Sequence, residues 1–168
     1  MNSETAKTIF VRALAFATTA VFSLVIVNSL PRVKEQRQRY FAEATMDGNL
    51  RRMRLLHFAG ANINAHGNSG RPLFLAASEG KLEVVRYLLD EGADVNAREN
   101  SGNTALAEAA YYGHLMVVKE LLLRGADINA IGDGGTALDV AINRSNTTIA
   151  DLLKHRGGKR VREIRTLG

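Results

Sequence analysis

The chain has 168 residues with 46% hydrophobic content, which suits one domain with a packed core, and its lack of cysteine excludes a disulfide framework. The net charge of +5 arises at the two ends, because residues 1–60 contribute +5, residues 61–153 contribute −5 and residues 154–168 contribute +5. An acidic centre argues against a nucleic-acid-binding protein, so no nucleic acid is expected among its partners.

Residues 1–12 form a short polar head, and the eighteen residues 13–30 contain no charged side chain. A helix of that length is about 27 Å long, which is close to the hydrocarbon thickness of a bilayer. We therefore predict one transmembrane helix or signal anchor over residues 13–30, with the membrane as its partner. Two alternatives stay open: a cleaved signal peptide, for which small residues within 27–29 suit a cleavage point, and a helix buried in a soluble protein.

Residues 31–40 are expected to form a basic juxtamembrane linker, with Pro31 ending the apolar segment. The basic residues of this linker are Arg32, Lys34, Arg37 and Arg39. They outnumber Lys7 and Arg12 on the other flank, so the positive-inside rule favours a single-pass protein with its C-terminal part on the cytoplasmic side. A short N-terminal tail that stays inside would give the opposite orientation. The four basic residues, together with the basic tail, are also expected to contact anionic lipid.

From residue 41 to residue 157 the sequence repeats with a fixed period. The pairs that lie 33 residues apart include Leu73 and Leu106, Gly80 and Gly113, Leu89 and Leu122, and Gly92 and Gly125. A period of this size is typical of a repeat solenoid. In the clearest unit, Thr104 suits the N-cap of a first helix that stops at Gly113, and a second, apolar-striped helix stops at Gly125.

This unit resembles the ankyrin repeat. The helix-opening TPLHxAA pattern of that family is similar to TALAEAA at residues 104–110 and to PLFLAA at residues 72–77, and its closing GADxNA pattern matches residues 92–97 and 125–130. The resemblance implies an all-α fold, an ankyrin-repeat solenoid of helix-turn-helix units with β-turn fingers, preceded by the transmembrane helix. Its four repeats are expected at residues 41–65, 66–97, 98–130 and 131–157.

Three details qualify the pattern. The His that follows Leu in the family motif is Phe74, Ala107 or Asp139 here, so the hydrogen bonds which that His makes between neighbouring loops are not expected. The first repeat is degenerate, and its added arginines suit a terminal repeat that exposes one flank to water. Residues 158–168 are expected to form a basic and loosely ordered tail.

No group of residues indicates catalysis, and we predict that the protein is not an enzyme and has no cofactor or metal site. The four histidines lie in different units and lack a metal-ligand spacing. His114 follows the helix-stop glycine at a position where the ankyrin family commonly has His. A structural role is therefore favoured for it.

Partner binding is expected at positions that the repeat leaves free, on the finger tips and on part of the first helices. On the fingers these residues are His66, Asn68, Ser69, Arg71, Arg98, Glu99, Asn100, Asn103 and Asp133. On the first helices they are Met46, Asp47, Ser78, Glu79, Tyr111, Tyr112, Asn143 and Arg144. The adjacent tyrosines stand out because Tyr is a favoured interface anchor. The alternative for them is that one tyrosine packs under the neighbouring finger.

The hypothesis from the sequence is a membrane-anchored scaffold for protein–protein interaction that binds another protein through its fingers and concave helix face. The first alternative is a secreted or periplasmic ankyrin module that signal cleavage releases. The second alternative is an accessory subunit of a larger membrane complex, in which the apolar helix inserts into the complex and the repeats stabilise it.

Overall fold

The computed structural model describes residues 30–67 and 70–166. The predicted polar head and the predicted transmembrane segment up to residue 29 lie outside the described residues. The chain divides into two compact units, Met1–Arg37 and Gln38–Gly168. The described residues contain helices and no strand, in agreement with the predicted all-α class. None of these helices has the length and apolar character needed to cross a bilayer.

The described part of the chain contains nine helices, which we number in chain order. They are α1 (Pro31–Asp47), α2 (Leu50–Phe58), α3 (Pro72–Ser78), α4 (Leu82–Asp90), α5 (Ala105–Tyr112), α6 (Leu115–Leu123), α7 (Ala137–Asn143), α8 (Thr147–His155) and α9 (Val161–Arg165). The first eight helices form four consecutive pairs. The last three pairs fall within the predicted repeats 66–97, 98–130 and 131–157, whereas the first pair begins before the predicted limit at residue 41.

The residues predicted to form a basic juxtamembrane linker, 31–40, are helical, because α1 begins at Pro31. Proline suits the first position of a helix, since its fixed φ is already helical and no N–H is required there. Lys, Glu, Gln and Arg predominate in the residues that follow, and all four are good helix formers. The boundary that the sequence placed at residue 40 therefore falls inside a helix.

The first helices α3, α5 and α7 contact one another in one layer, and the second helices α2, α4, α6 and α8 form the other layer. Small side chains let the first helices approach closely: Ala76, Ala109 and Ala141 occupy the same register and are fully buried. The second helices bury one leucine each at a shared register, namely Leu88, Leu121 and Leu153. Burial of each such leucine stabilises the fold by roughly 1.5–3 kcal/mol, so the core recurs with the repeat.

The helix boundaries follow local sequence signals. The Thr104 hydroxyl accepts a hydrogen bond from the N–H of Ala107, and Gly113 ends α5 in the left-handed conformation with φ of 81°, as predicted. Thr136 and Asp139 form a capping box at the start of α7. In the fourth repeat Ser145 takes the position of the glycine and adopts φ of 59°.

An asparagine that recurs in each finger joins neighbouring loops. The Asn64 amide donates to the carbonyl of Gly92 (3.1 Å), and its oxygen accepts from the N–H of Asp94 (3.0 Å). Asn96 makes the same pair of bonds to the next loop, to the carbonyl of Gly125 and the N–H of Asp127. Neighbouring loops are thus connected by asparagine side chains.

The prediction of a loosely ordered tail was wrong for residues 158–166, which fold back onto the fourth repeat. Arg160 Nε donates to Asp139 Oδ1 at 2.7 Å, and the N–H of Val161 donates to Asp139 Oδ2 at 2.8 Å. The N–H of Lys159 donates to Asn129 Oδ1, which continues the asparagine series. Composition alone indicated disorder because it does not show a buried carboxylate that accepts these bonds.

Candidate functional site

Glu99 connects the first two fingers. Its side chain is 10% exposed, and its Oε2 lies 2.7 Å from His66 Nε2. Its Oε1 accepts a hydrogen bond from the N–H of Arg71 at 2.8 Å. Three of the residues predicted to bind a partner are therefore brought together, but their polar atoms bond to one another.

The two finger arginines also bridge neighbouring fingers. Arg71 Nη1 donates to the carbonyl of Asn64 at 2.8 Å, and its Nε donates to the carbonyl of Arg98 at 3.3 Å. Arg98 Nη1 donates to the carbonyl of Ile131 in the third finger at 2.7 Å. Sequence reasoning missed this bridging role because it depends on contacts between residues about thirty positions apart.

The other predicted finger residues are placed separately. Asn100 and Asp133 are exposed, and the N–H of Asp133 donates to the carbonyl of Ser101. Asn103 is partly buried, and its Oδ1 has no hydrogen-bond partner within the described ranges 30–67 and 70–166. Asn68 and Ser69 lie outside the described residues. Among the described finger residues, Asn100 and Asp133 thus stay exposed, whereas Arg71, Arg98 and Glu99 use polar atoms in contacts between fingers.

Both tyrosines at the end of α5 are exposed, Tyr111 by 39% and Tyr112 by 53%. Their rings meet edge to face with centroids 4.9 Å apart. The Arg144 guanidinium lies 4.2 Å from the centroid of the Tyr111 ring, and the His114 ring stacks on Tyr112 at 6.2 Å. We call these four residues, Tyr111, Tyr112, His114 and Arg144, the tyrosine ledge.

Hydrogen bonds to the ends of two first helices fix the tyrosine ledge in place. His114 Nε2 donates to the carbonyl of Ser78 at 2.8 Å, so this histidine has the structural role that the sequence predicted. Asn146 Nδ2 donates to the carbonyls of Ala110 at 2.7 Å and Tyr111 at 3.2 Å. These bonds satisfy carbonyls that a helix end leaves free, so the ledge, whose residues belong to the third and fourth repeats, is also connected to the second.

The remaining predicted first-helix residues lie at equivalent helix ends, and all except Met46 are polar. Glu79, Asn143 and Asp47 are exposed, whereas Ser78 and Met46 are half-buried. Ser78 and Glu79 correspond in register to Tyr111 and Tyr112. The aromatic surface is therefore a property of the third repeat.

Two carboxylates in this region have shifted pKa values. Burial raises the pKa of Glu108, and the nearby charge of Glu99 raises it further. For Asp139, burial acts to raise the pKa, but the hydrogen bonds from Arg160, Val161 and Thr136 outweigh it and hold the pKa below its usual value. Both shifts follow from structural contacts, and within residues 30–67 and 70–166 no group of three or more His, Asp or Glu side chains could hold a metal ion.

Sequence reasoning missed the exposed apolar side chains of the second helices. Phe58 is 93% exposed, Leu123 is 77% exposed and Leu55 is 64% exposed. Phe58 borders an open cleft of about 470 Å³. The residues that line this cleft are Arg54, His57, Phe58, Tyr87, Asp90 and Glu91. An alignment of α2 with α4 would have indicated that Phe58 is exposed, because Phe58 then occupies the position of the charged Asp90.

Another contact between second helices was also missed. The Glu120 side chain is 8% exposed and accepts hydrogen bonds from Arg86 Nε at 3.1 Å and Arg124 Nε at 3.0 Å. Arg124 Nη2 also donates to Asp90 at 2.7 Å. This cluster connects the second repeat to the third, so its role is structural.

The comparisons with known proteins agree with this architecture. A family model described as ankyrin repeats in three copies matches residues 41–131, which is more than half of the chain. A search of curated proteins finds no match. The chain belongs to the ankyrin-repeat family, whose repeats generally mediate interactions between proteins.

Proposed function

We propose that the chain is a membrane-anchored scaffold that binds one partner protein on the tyrosine ledge. The observation that carries this proposal is the pair of adjacent exposed tyrosines at the end of a first helix. Buried tyrosines contribute large contact area at low entropic cost, and they are frequent among residues that dominate binding energy. The ledge is already ordered by hydrogen bonds to its helix ends, so little ordering remains for the partner to induce.

The ledge is a better candidate than the fingers because its ring surfaces remain accessible. On the fingers, Glu99 and Arg98 already bond to neighbouring fingers. On the ledge, Tyr112 is 53% exposed and Arg144 covers one part of Tyr111. A partner segment with an apolar side chain between acceptor groups would suit these rings and the guanidinium.

Membrane attachment through residues 13–30, with the repeats on the cytoplasmic side, is the second part of the proposal. Its support is the uncharged run of eighteen residues and the basic residues that follow it. Full-length protein is expected to stay in the membrane fraction after alkaline carbonate extraction, with the mass of the complete translated chain. Loss of about 29 residues would support the secreted or periplasmic alternative instead. One fixed high mass in blue-native electrophoresis would support the accessory-subunit alternative.

The ledge is tested by the double variant Tyr111→Ala with Tyr112→Ala in the full-length chain. Partner capture from the native membrane, followed by mass spectrometry, is expected to weaken roughly thirtyfold because one aromatic anchor contributes about 2 kcal/mol. Thermal unfolding should remain nearly unchanged, since both side chains are exposed. The matched control is Met116→Ala with Leu123→Ala, which removes two exposed apolar side chains from α6 and should leave capture intact.

Two results would contradict the assignment to the ledge. A fall in melting temperature of about 10 °C or more would show that the tyrosines support the core, since 1 kcal/mol shifts a domain of this size by only a few degrees. Unchanged capture in the tyrosine variant, with reduced capture in Asn100→Ala or Asp133→Ala, would place the binding site on the finger tips.

A further inference from the structure

Helix α2 exposes a stripe that combines cations with large apolar side chains. Arg51, Arg54, Leu55 and Phe58 are all exposed. Their spacing of i, i+3, i+4 and i+7 places them on one face of the helix. The opposite face buries Met53 completely. We call these four residues the outer stripe of α2.

The outer stripe differs from the corresponding positions of the second repeat. In α4 those positions are Glu83, Arg86, Tyr87 and Asp90, so two of the four are acidic. At the same four positions of α2 there are two arginines, no acid and two large apolar residues. A terminal repeat needs charge on its outer flank, but that need does not account for a phenylalanine that is 93% exposed.

Further arginines lie beside the outer stripe. Arg39 and Arg52 lie over the Tyr40 ring, with Cζ atoms 5.5 Å and 5.3 Å from its centroid, and both lie 3.6 Å from Glu43. One carboxylate therefore faces two guanidinium groups here. On the other side, the acidic Asp90 is paired with Arg124 at 2.7 Å. Glu91 also lines the cleft beside Phe58, at 3.6 Å from His57. This surface then has five arginines and three carboxylates, so its balance is positive although the repeats from residue 61 to residue 153 carry −5.

We propose that the outer stripe of α2 docks on an anionic lipid surface. Leu55 and Phe58 enter the boundary between headgroups and acyl chains, while Arg51 and Arg54 contact lipid phosphates. Apolar side chains beside clustered cations on one helix face are the features that bind interfacial helices to anionic membranes. The expected lipid contacts at Arg32, Lys34, Arg37 and the tail involve charge alone, whereas this surface also inserts apolar groups.

Two observations favour lipid over a protein partner at this surface. Phe58 projects from the helix with nearly its whole side chain exposed, which suits a deformable acyl layer better than a shaped protein pocket. In the sequence, the uncharged run ends at Leu30, twenty residues before α2 begins at Leu50. The proposal does not depend on the tyrosine ledge, which belongs to first helices, so either can fail without the other.

The chain contains no cysteine, so single cysteines report on chosen positions without further changes. We would label Phe58→Cys and Leu55→Cys with a polarity-sensitive fluorophore in the full-length chain. The matched control is Leu123→Cys, which is also highly exposed and has the register of Phe58 in the third repeat. The labelled chains are reconstituted in phosphatidylcholine vesicles, with or without phosphatidylglycerol. In this way the apolar segment can insert in both cases, and only the surface charge differs.

Emission from positions 55 and 58 is expected to shift to the blue in vesicles that contain phosphatidylglycerol, and emission from position 123 is expected not to shift. Adding Arg51→Ser and Arg54→Ser should lower the ratio of docked to undocked α2 roughly thirtyfold, since each cation near an anionic surface contributes about fivefold. High salt should also lower this ratio, because it screens the attraction between the arginines and the anionic surface. Unchanged melting temperature in these variants excludes loss of the fold as the cause.

The proposal is overturned if positions 55 and 58 report the same polarity with and without phosphatidylglycerol, or if position 123 shifts as much as they do. A shift that appears in native membranes but not in pure lipid vesicles would also overturn it, because a protein partner would then cover the stripe.

Discussion

The middle of the stack and its C-terminal end are held together by different kinds of contact. In the middle, the bonds of Asn64 to the next loop are repeated by Asn96, and the buried Leu88 is repeated by Leu121. At the end, the carboxylate of Asp139 accepts bonds from Thr136, Arg160 and Val161, beside one bond from Lys159 to Asn129. The middle thus depends on contacts that repeat, whereas the end depends mainly on one carboxylate.

This difference follows from the one-dimensional arrangement of a repeat protein. A central repeat has a neighbour on each side, and its stability includes two interfaces, whereas a terminal repeat has one. Loss of a central core residue should therefore remove structure over the whole stack. Loss of an end contact should loosen the end and leave the middle folded. The variants below are arranged to test this contrast, beginning with the largest expected effect.

Leu121→Asp should unfold the domain. Leu121 is fully buried in α6, and an unpaired carboxylate in that position costs several kcal/mol against a total stability of about 5–15 kcal/mol. The matched control is Leu123→Asp, two residues away on the same helix, where the side chain is 77% exposed. Far-ultraviolet circular dichroism should show loss of helix for the first variant only. Folded Leu121→Asp protein would mean that the central core tolerates a charge.

Gly80→Ala should destabilise the middle of the stack by about 3 kcal/mol, from a left-handed backbone and a steric clash. Gly80 has φ of +66°, and an added Cβ would lie 2.5 Å from His114 Nδ1. Gly125→Ala supplies the control, because its φ is also positive but no atom lies within 4 Å of its Cβ position. Urea denaturation measures both variants.

A double-variant cycle separates the two causes at Gly80. Removing the ring with His114→Ala should relieve the steric part, so the cost of Gly80→Ala should fall to that of Gly125→Ala. Equal costs with and without His114 would show that the histidine moves aside freely, and that the middle of the stack is less rigid than its contacts indicate.

Asp139→Asn should weaken the C-terminal end by about 1–3 kcal/mol, the usual range for hydrogen bonds to a charged group. Because the pKa of Asp139 is lowered in the folded chain, its stabilisation is fully present above the unfolded pKa and is lost as pH falls through the folded pKa. The difference between wild type and variant should therefore be constant from neutral pH to about pH 4 and shrink below that. Hydrogen exchange at Val161 should accelerate in the variant at neutral pH, while exchange at Leu121 should not change.

The features that the sequence predicted correctly depend on neighbouring residues. Thr104 caps α5 and Gly113 ends it because each acts on backbone groups within one helical turn. The repeat period places many such signals at equivalent positions, so the solenoid can be predicted from the sequence. Pro31 shows the limit of reasoning from neighbouring residues, since a proline can follow the end of one segment or begin a helix, and here it begins α1.

The features that the sequence missed depend on residues far apart in the chain. Asp139 orders the tail through Arg160 and Val161, which are more than twenty positions away. Glu99 was predicted to face a partner, but it contacts His66 and the backbone of Arg71 in the preceding finger. Charged side chains of neighbouring repeats form contacts that the repeat period does not predict. The candidate site is therefore less predictable than the fold.

Glu108→Gln has the smallest expected effect on stability. It tests a carboxylate in the middle of the stack, for comparison with Asp139 at the end. Burial and the nearby Glu99 raise the pKa of Glu108, so the folded chain binds its proton more tightly than the unfolded chain does. Ionised Glu108 therefore reduces stability above its folded pKa, and this effect disappears as pH falls below the unfolded value of about 4.5. Glu108→Gln should gain roughly 0.5 kcal/mol at neutral pH and nothing at low pH, a small change typical of a site without core contacts. Urea denaturation at both pH values measures the gain, and the exposed Glu83→Gln serves as the control. If Glu108→Gln instead lowered stability at neutral pH, the carboxylate would have a favourable contact in the folded chain, and the middle of the stack would depend on single side chains as its end does.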